Sequence, residues 1–132
     1  WGGLGFLWNK PVAFIFVRPQ RFTFKFTEQE HVFSLSFFEP RYRDALSLCG
    51  TVSGRNTNKI KDAGLTPIAL ENGSVAFNEA SMIIECKKLY SEVLKAENFI
   101  DTSIVSSIYS ARDFHTMYVG EITKIWKKQS TL

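Results

Sequence analysis

Apolar and polar positions change their period several times along the chain, and each change marks an element. Residues 11–17, Pro-Val-Ala-Phe-Ile-Phe-Val, form an unbroken apolar run bounded by Pro11 and Pro19, the pattern of a strand buried on both faces. That strand delivers Arg18 at its end. Residues 22–30 carry two periods at once. Phe22, Phe24 and Phe26 alternate as in a strand, yet Phe22 and Phe26 also stand one helical turn apart, with Thr23 placed to cap a helix ending near Glu30. From His31 to Phe38 the alternation is plain, with Val32, Ser34 and Ser36 on one side and Phe33, Leu35 and Phe37 on the other, which predicts a half-buried strand.

Pro40 then occupies a first-turn position, and Tyr42, Ala45, Leu46 and Cys49 recur at helical spacing up to Gly50, a natural C-terminal stop. A helix over about residues 40–49 is expected. A second short helix starts near Asn56 or Thr57, turns Ile60 and Ala63 inward and ends at Gly64. Ile68 to Leu70, Asn72-Gly73 and Val75 to Phe77 read as a hairpin with a type I′ turn. Residues 80–94 alternate over a length that implies a strongly bent strand, and residues 95–114 read as a loop with one helical turn. His115 to Lys127 closes the chain as a strand interrupted by Gly120. No internal repeat or low-complexity linker is present. Many strands, short helices and no βαβ alternation predict a mainly β, antiparallel barrel with two or three short helices.

Composition narrows the partners. With 132 residues the chain is expected to be one domain, residues 1–132, burying roughly two-thirds of its unfolded surface. The net charge of +3 is too small and too dispersed for a nucleic-acid stripe or an anionic membrane surface. No segment resembles a signal peptide, and no apolar run is long enough to span a bilayer. Cys49 and Cys86 lack the CxxC or neighbouring His spacing of a zinc site, so no metal is expected and a reduced, cytoplasmic pair is the reading. The chain begins at Trp1 and not at Met, from which native upstream residues are expected to be missing.

Two basic segments carry the candidate chemistry: Arg18-Pro-Gln-Arg-Phe-Thr23, and Cys49 to Lys59, which contains Ser53-Gly54-Arg55. In an extended or polyproline-like segment Arg18 and Arg21 project from the same side and can grip one anionic group; the alternative is a pair of solvated arginines. Gly54 lacks a Cβ and lets backbone approach a ligand, Ser53 offers a hydroxyl, and Arg55 and Lys59 add charge; the alternative is a polar loop between helices. Neither GxGxxG nor GxxxxGK[ST] occurs, which disfavours Rossmann and P-loop sites. The first hypothesis is therefore a phosphate-bearing cofactor.

Taken in order, several stretches resemble the flavin reductase-like FMN-binding split-barrel family. They are Trp1-Gly2-Gly3, Lys10-Pro11-Val12 leading to Val17-Arg18-Pro19-Gln20-Arg21-Phe22-Thr23, Ser34 to Phe38, Leu48-Cys49-Gly50, Ser53-Gly54-Arg55 with Lys59, and His115 to Glu121. The resemblance runs over essentially the whole chain. It implies a homodimeric Greek-key split barrel with FMN near the subunit interface, and a helix after Arg21. Arg18, Arg21, Thr23, Ser53, Gly54, Arg55 and Lys59 would meet the phosphate or ribityl region, with Ser36 and Phe37 near the flavin. Family members carry an Asn-x-Met-Thr-x-Ser segment before the Trp-Gly pair whose backbone contacts the isoalloxazine ring. That segment is missing here, so the domain is expected to lack its native N-terminal strand segment.

The resemblance implies an NAD(P)H-dependent flavin reductase, with NADH or NADPH passing hydride to flavin N5. Two alternatives stay open: a non-catalytic, flavoredoxin-like FMN electron carrier serving a redox partner protein, and a phosphate-ligand binder that does not use flavin. No catalytic acid or base is required; His115, beside Asp113, is the one candidate at a pocket rim, and an ordinary strand-end histidine is its alternative. Cys49 reads as a buried small hydrophobe before it reads as a flavin-adjacent thiol. Trp1, Trp8 and Trp126 are candidates for stacking, with packing the simpler role for Trp8 and Trp126.

Overall fold

A computed structural model describes residues 1–129. The apolar run after Lys10 forms strand β2 (Lys10–Val17), which pairs with β1 (Gly2–Leu7) on one side and with β7 (Thr116–Lys127) on the other. With β6 (Met82–Val93) and β3 (Val32–Phe37) these make a five-stranded antiparallel sheet in the order β1-β2-β7-β6-β3. A separate ribbon of β4 (Pro67–Ala69) and β5 (Val75–Phe77) is tied to β3 where the Ser34 hydroxyl donates to the Val75 carbonyl at 2.6 Å. Only Val12 and Ala13 of β2 are fully buried, because the strand lies one place in from the edge and β1 beside it is exposed along its whole length.

The ambiguous segment after Arg21 is helix α1 (Thr23–Gln29). Phe22 and Phe26 meet edge to face, 5.3 Å between centroids, as helical spacing requires. The sheet supplies what the short helix lacks: Lys88 Nζ donates to the Thr27 and Glu28 carbonyls at 2.6 and 3.3 Å, and the Tyr118 hydroxyl donates to the Glu28 carboxylate. Thr23 is not the cap; Phe22 holds that position without a side-chain bond.

A 3-10 turn (Pro40–Tyr42) leads into α2 (Arg43–Thr51), which runs through Gly50 instead of stopping there. Val52 is extended and donates to the Leu48 carbonyl. The end of the helix is instead held by Lys59, whose Nζ donates to the Cys49 carbonyl at 2.8 Å and to that of Val52 at 3.4 Å. No left-handed glycine is needed when a cation receives the freed carbonyls. Helix α3 (Lys59–Asp62) begins later than its sequence implies, capped by Asn58, whose side chain accepts from Lys61 N. It closes at Gly64, φ +67°.

The type I′ geometry expected at Asn72-Gly73 lies elsewhere. Trp8 and Asn9, with φ of +53° and +56°, form the two-residue loop between β1 and β2. At the β4–β5 loop only Gly73 has positive φ, at +89°. Asn72 Oδ1 accepts from both the amide and the hydroxyl of Ser74, a local Asx arrangement that replaces the left-handed conformation.

Strand β6 bends as expected, through register shifts at Glu85/Cys86 and Lys88/Tyr90. Residues 95–114 hold more helix than one turn: a 3-10 turn (Ala96–Asn98) and α4 (Ser103–Ile108). Gly120 does not interrupt β7. It pairs with Ala13 and Lys88, and the Phe33 ring fills the space a side chain would take, 2.6 Å from an ideal Cβ. Ala13, Ile84 and Cys86 form the core beneath, packed by Phe33, Leu35 and Ile122. Burial pushes the Cys86 thiol up to about 12, which makes it a packing residue.

Gly120→Ala should therefore overpack this contact and destabilise the domain by about 1–3 kcal/mol. Urea unfolding will register a lower midpoint, partly recovered by adding Phe33→Leu; an unchanged midpoint would show that the ring moves aside freely.

Candidate cofactor-binding site

Strand β2 ends at Val17, and the next four residues turn. Arg21 N donates to the Arg18 carbonyl at 3.1 Å, with Pro19 at the second position that its fixed φ favours. A β-turn, and not a polyproline-like segment, brings Arg18 and Arg21 together. Both line one cavity of about 790 Å³, bounded also by Thr23, by Ser53 and Gly54, by Lys59, and by His115.

The cations expected to bind an anion are engaged to different degrees. Arg18 donates through Nη1 to Asp113 Oδ2 at 3.1 Å and through Nη2 to the Ile108 carbonyl at 2.7 Å, with its guanidinium 5.3 Å from the Tyr109 ring centroid. Lys59 lines the cavity while closing the end of α2. Arg21 is the least committed, with one long contact of 3.4 Å to the Gly50 carbonyl. Arg55 does not line the cavity. Its guanidinium donates to the Gln20 carbonyl at 2.7 Å and sits 5.8 Å from the Phe22 centroid, so it clamps the Ser53-Gly54-Arg55 loop against the Arg18–Arg21 turn.

Gly54 is required by that clamp as much as by any ligand, since an ideal Cβ would lie 2.9 Å from the Phe22 ring. Ser53 Oγ accepts from Arg55 N at 3.3 Å and retains its hydroxyl proton for the cavity. Ser36 and Phe37 are not brought to this cavity: they lie on β3, at the opposite edge of the sheet from β1 and β2, paired with Ile83 and Met82. Cys49 is half-buried and lines the cavity instead of filling the core.

His115 is buried, and its Nδ1 is 2.6 Å from the Tyr109 hydroxyl. The Trp1 ring stacks on it at 4.8 Å, and both line the cavity. Burial, then the charge of Arg18, hold its imidazole below the ordinary 6.5, against the opposing pull of Asp113. Asp113 is itself held below the usual carboxylate range, first by the hydrogen bond from Gln20 and also by the charge of Arg18. Trp8 and Trp126 lie outside this cavity; Trp8 meets Tyr90, and the Trp126 indole N–H donates to Glu85.

Gln20, Asp113 and Tyr109 are the supporting residues that sequence reasoning missed. The only signal was the adjacency of Asp113 to His115, because Arg18 and Asp113 stand 95 positions apart and meet only through the β2–β7 pairing. The donor set suits a phosphate monoester: Arg21 with free donors, Arg18 and Lys59 fixed nearby, and the Thr23 and Ser53 hydroxyls on the same cavity. Among the described residues no group of acidic, His and Cys side chains is placed to hold a metal ion. Nor is any of their helices long and apolar enough to cross a membrane.

Sheet and cavity together define a small antiparallel β domain with a cation-lined cavity. The chain belongs to the flavin reductase like domain family, whose model matches residues 8–132. Flavoredoxin of Desulfovibrio vulgaris (Miyazaki F) is 22% identical, with a TM-score of 0.75 over 100% of this chain and 61% of that one. An FMN-binding protein from Thermus thermophilus, with bound p-hydroxybenzaldehyde, is 22% identical, with a TM-score of 0.72 over 98% of this chain and 62% of that one. A Shewanella frigidimarina NCIMB 400 structure with a split barrel domain is 16% identical, with a TM-score of 0.71 over 97% and 58%. The fold is that split barrel. The chain spans about three-fifths of the length of each. No curated protein matches it.

Three outcomes follow from this geometry. Arg21→Ala should weaken binding of a phosphate-bearing ligand roughly ten- to hundredfold with little change in stability, whereas Arg55→Ala should cost about 1 kcal/mol of stability through the lost Gln20 contact. Titration calorimetry beside urea unfolding separates the two, and the reverse pattern would exchange their roles. For His115, the unfolded chain takes up its proton near 6.5 while the folded one does so at lower pH. Stability therefore falls as pH drops through 6.5 and down through the folded value; His115→Gln should flatten this slope, and an NMR midpoint above 6.5 would reverse the sign.

Proposed function

We propose that this domain binds FMN by its phosphate and serves as an NAD(P)H-dependent flavin reductase. The observation that carries the reading is the convergence of Arg18, Arg21 and Lys59, with the Thr23 and Ser53 hydroxyls, on one cavity large enough for more than a phosphate. When bound, FMN supplies a ring that accepts hydride at N5 from a reduced nicotinamide. The chain's own part is binding and orientation. Arg21 neutralises the phosphate, Arg18 and Lys59 add fixed positive charge, and Ser53 and Thr23 donate hydrogen bonds.

Trp1 and His115 form an aromatic wall against which a planar ring can lie. His115, neutral near pH 7, offers a hydrogen bond at that wall without adding charge. Ser36 and Phe37, remote from the cavity in one chain, reach a flavin only across a subunit contact. Strand β1 supports such a contact, since it is exposed throughout, with Leu4 and Phe6 standing 56% and 72% exposed on an unpaired edge; a second copy of the chain is its partner in this reading. We place the protein in the cytoplasm because Cys49 and Cys86 are free thiols.

A second reading, an FMN electron carrier that serves a redox partner and ignores pyridine nucleotides, is favoured by the structural likeness to a flavoredoxin. An absorbance spectrum of the purified, flavin-supplemented protein, followed by NADH and then NADPH, decides between them. Flavin-dependent oxidation of either nucleotide supports the reductase. A bound flavin bleached only by another reduced protein supports the carrier, and a protein that never takes up flavin excludes both.

A further inference from the structure

One wall of the cavity is built differently from the rest. Ser107 and Ile108, at the end of α4, line the cavity together with Arg18. In α4, Val105 is half-buried and every other residue is exposed, and the first fully buried side chain after it is Tyr109. Arg112, which follows, holds a non-glycine φ of +58°, a conformation that persists only where its surroundings impose it. Segments with so little burial open at low free-energy cost.

Two side chains hold this segment to the sheet, the buried Tyr109 through its packing on Phe114 and His115, and Arg18 through hydrogen bonds. Arg18 Nη2 donates to the Ile108 carbonyl at 2.7 Å, its Nη1 donates to Asp113 at 3.1 Å, and its guanidinium carbon lies 5.3 Å from the Tyr109 ring centroid. Gln20 adds a second bond to the same Asp113 oxygen at 2.5 Å, and Tyr109 bonds to His115. A guanidinium carries further N–H donors in the same plane. Arg18 can therefore face an anion without releasing either protein acceptor.

We propose that Arg18 is a shared positioning residue: an anion in the cavity takes its remaining donors, fixes its plane against Ile108 and Asp113, and so orders residues 103–112 as the closed wall of the site. The coupling is reciprocal, so a loosened wall weakens the anion. This rests on the reading of the cavity as a phosphate site, though not on the identity of the cofactor.

Hydrogen-exchange mass spectrometry of the intact protein tests it, with FMN, riboflavin and millimolar inorganic phosphate as probes and fluorescence quenching to confirm flavin binding. Saturating FMN or phosphate should slow exchange in residues 103–112 by about tenfold or more, and riboflavin should not. Arg18→Gln, at saturating FMN, should lose the slowing; Asp113→Asn, which keeps an acceptor for Gln20 but not the ion pair, should reduce it even if the Arg18 variant fails to fold. Phosphate that slows exchange while FMN does not bind upholds the coupling and removes the flavin reading. FMN that binds without slowing exchange, or that slows it equally in the variants, overturns the coupling and leaves the flavin reading intact. If neither ligand binds, both fall.

Discussion

The ion pair between Arg18 and Asp113 is the constraint on which the site depends. It joins the residue that leaves β2 to the segment that enters β7, and those two strands are neighbours in the sheet. The pair is only partly buried, its side chains 25% and 19% exposed, and alone it would contribute modestly to stability. Its effect is geometric. By fixing Arg18 it fixes the turn over Pro19-Gln20, and with that turn the direction of Arg21 and the start of α1.

The basic residues divide by what they hold. Arg55 and Lys59 are builders: one ties the Ser53-Gly54-Arg55 loop to the Arg18–Arg21 turn, and the other closes α2 through the Cys49 carbonyl. Arg18 holds a wall, and Arg21 is left with donors to spare. Cations already bonded to carbonyls are pre-organised, so the protein itself sets the positive charge of the cavity in place. A motif that reads as four equivalent anion binders thus divides into Arg21 with free donors, Arg18 with donors left beside its protein acceptors, and two residues that build the frame.

Much of this was legible in the residues. The apolar run before Arg18, the alternation in β3 and the length of β6 reported strands because their side chains face a covered surface. Proline and glycine were less reliable. Gly50 reads as a helix stop, but Lys59 from a later helix supplies the stop; Asn72-Gly73 reads as a type I′ turn, but the Asn72 side chain is committed to Ser74, and the I′ loop falls at Trp8-Asn9, where no glycine announces it. The family motifs brought Arg18, Arg21, Ser53, Gly54 and Lys59 to one cavity, since all are near in space through local turns and neighbouring helices. They did not bring Ser36 and Phe37, which lie at the far edge of the sheet, nor reveal Asp113 and Tyr109, whose partners are distant in sequence.

The central claim is that the cavity is anchored on a phosphate. Calorimetric titration of the same protein with FMN and with riboflavin tests it most directly, because the two share a ring and a ribityl chain and differ in the phosphate alone. Two charge-assisted contacts predict that FMN binds about 100-fold or more tightly than riboflavin. Equal affinities for the two would contradict the account.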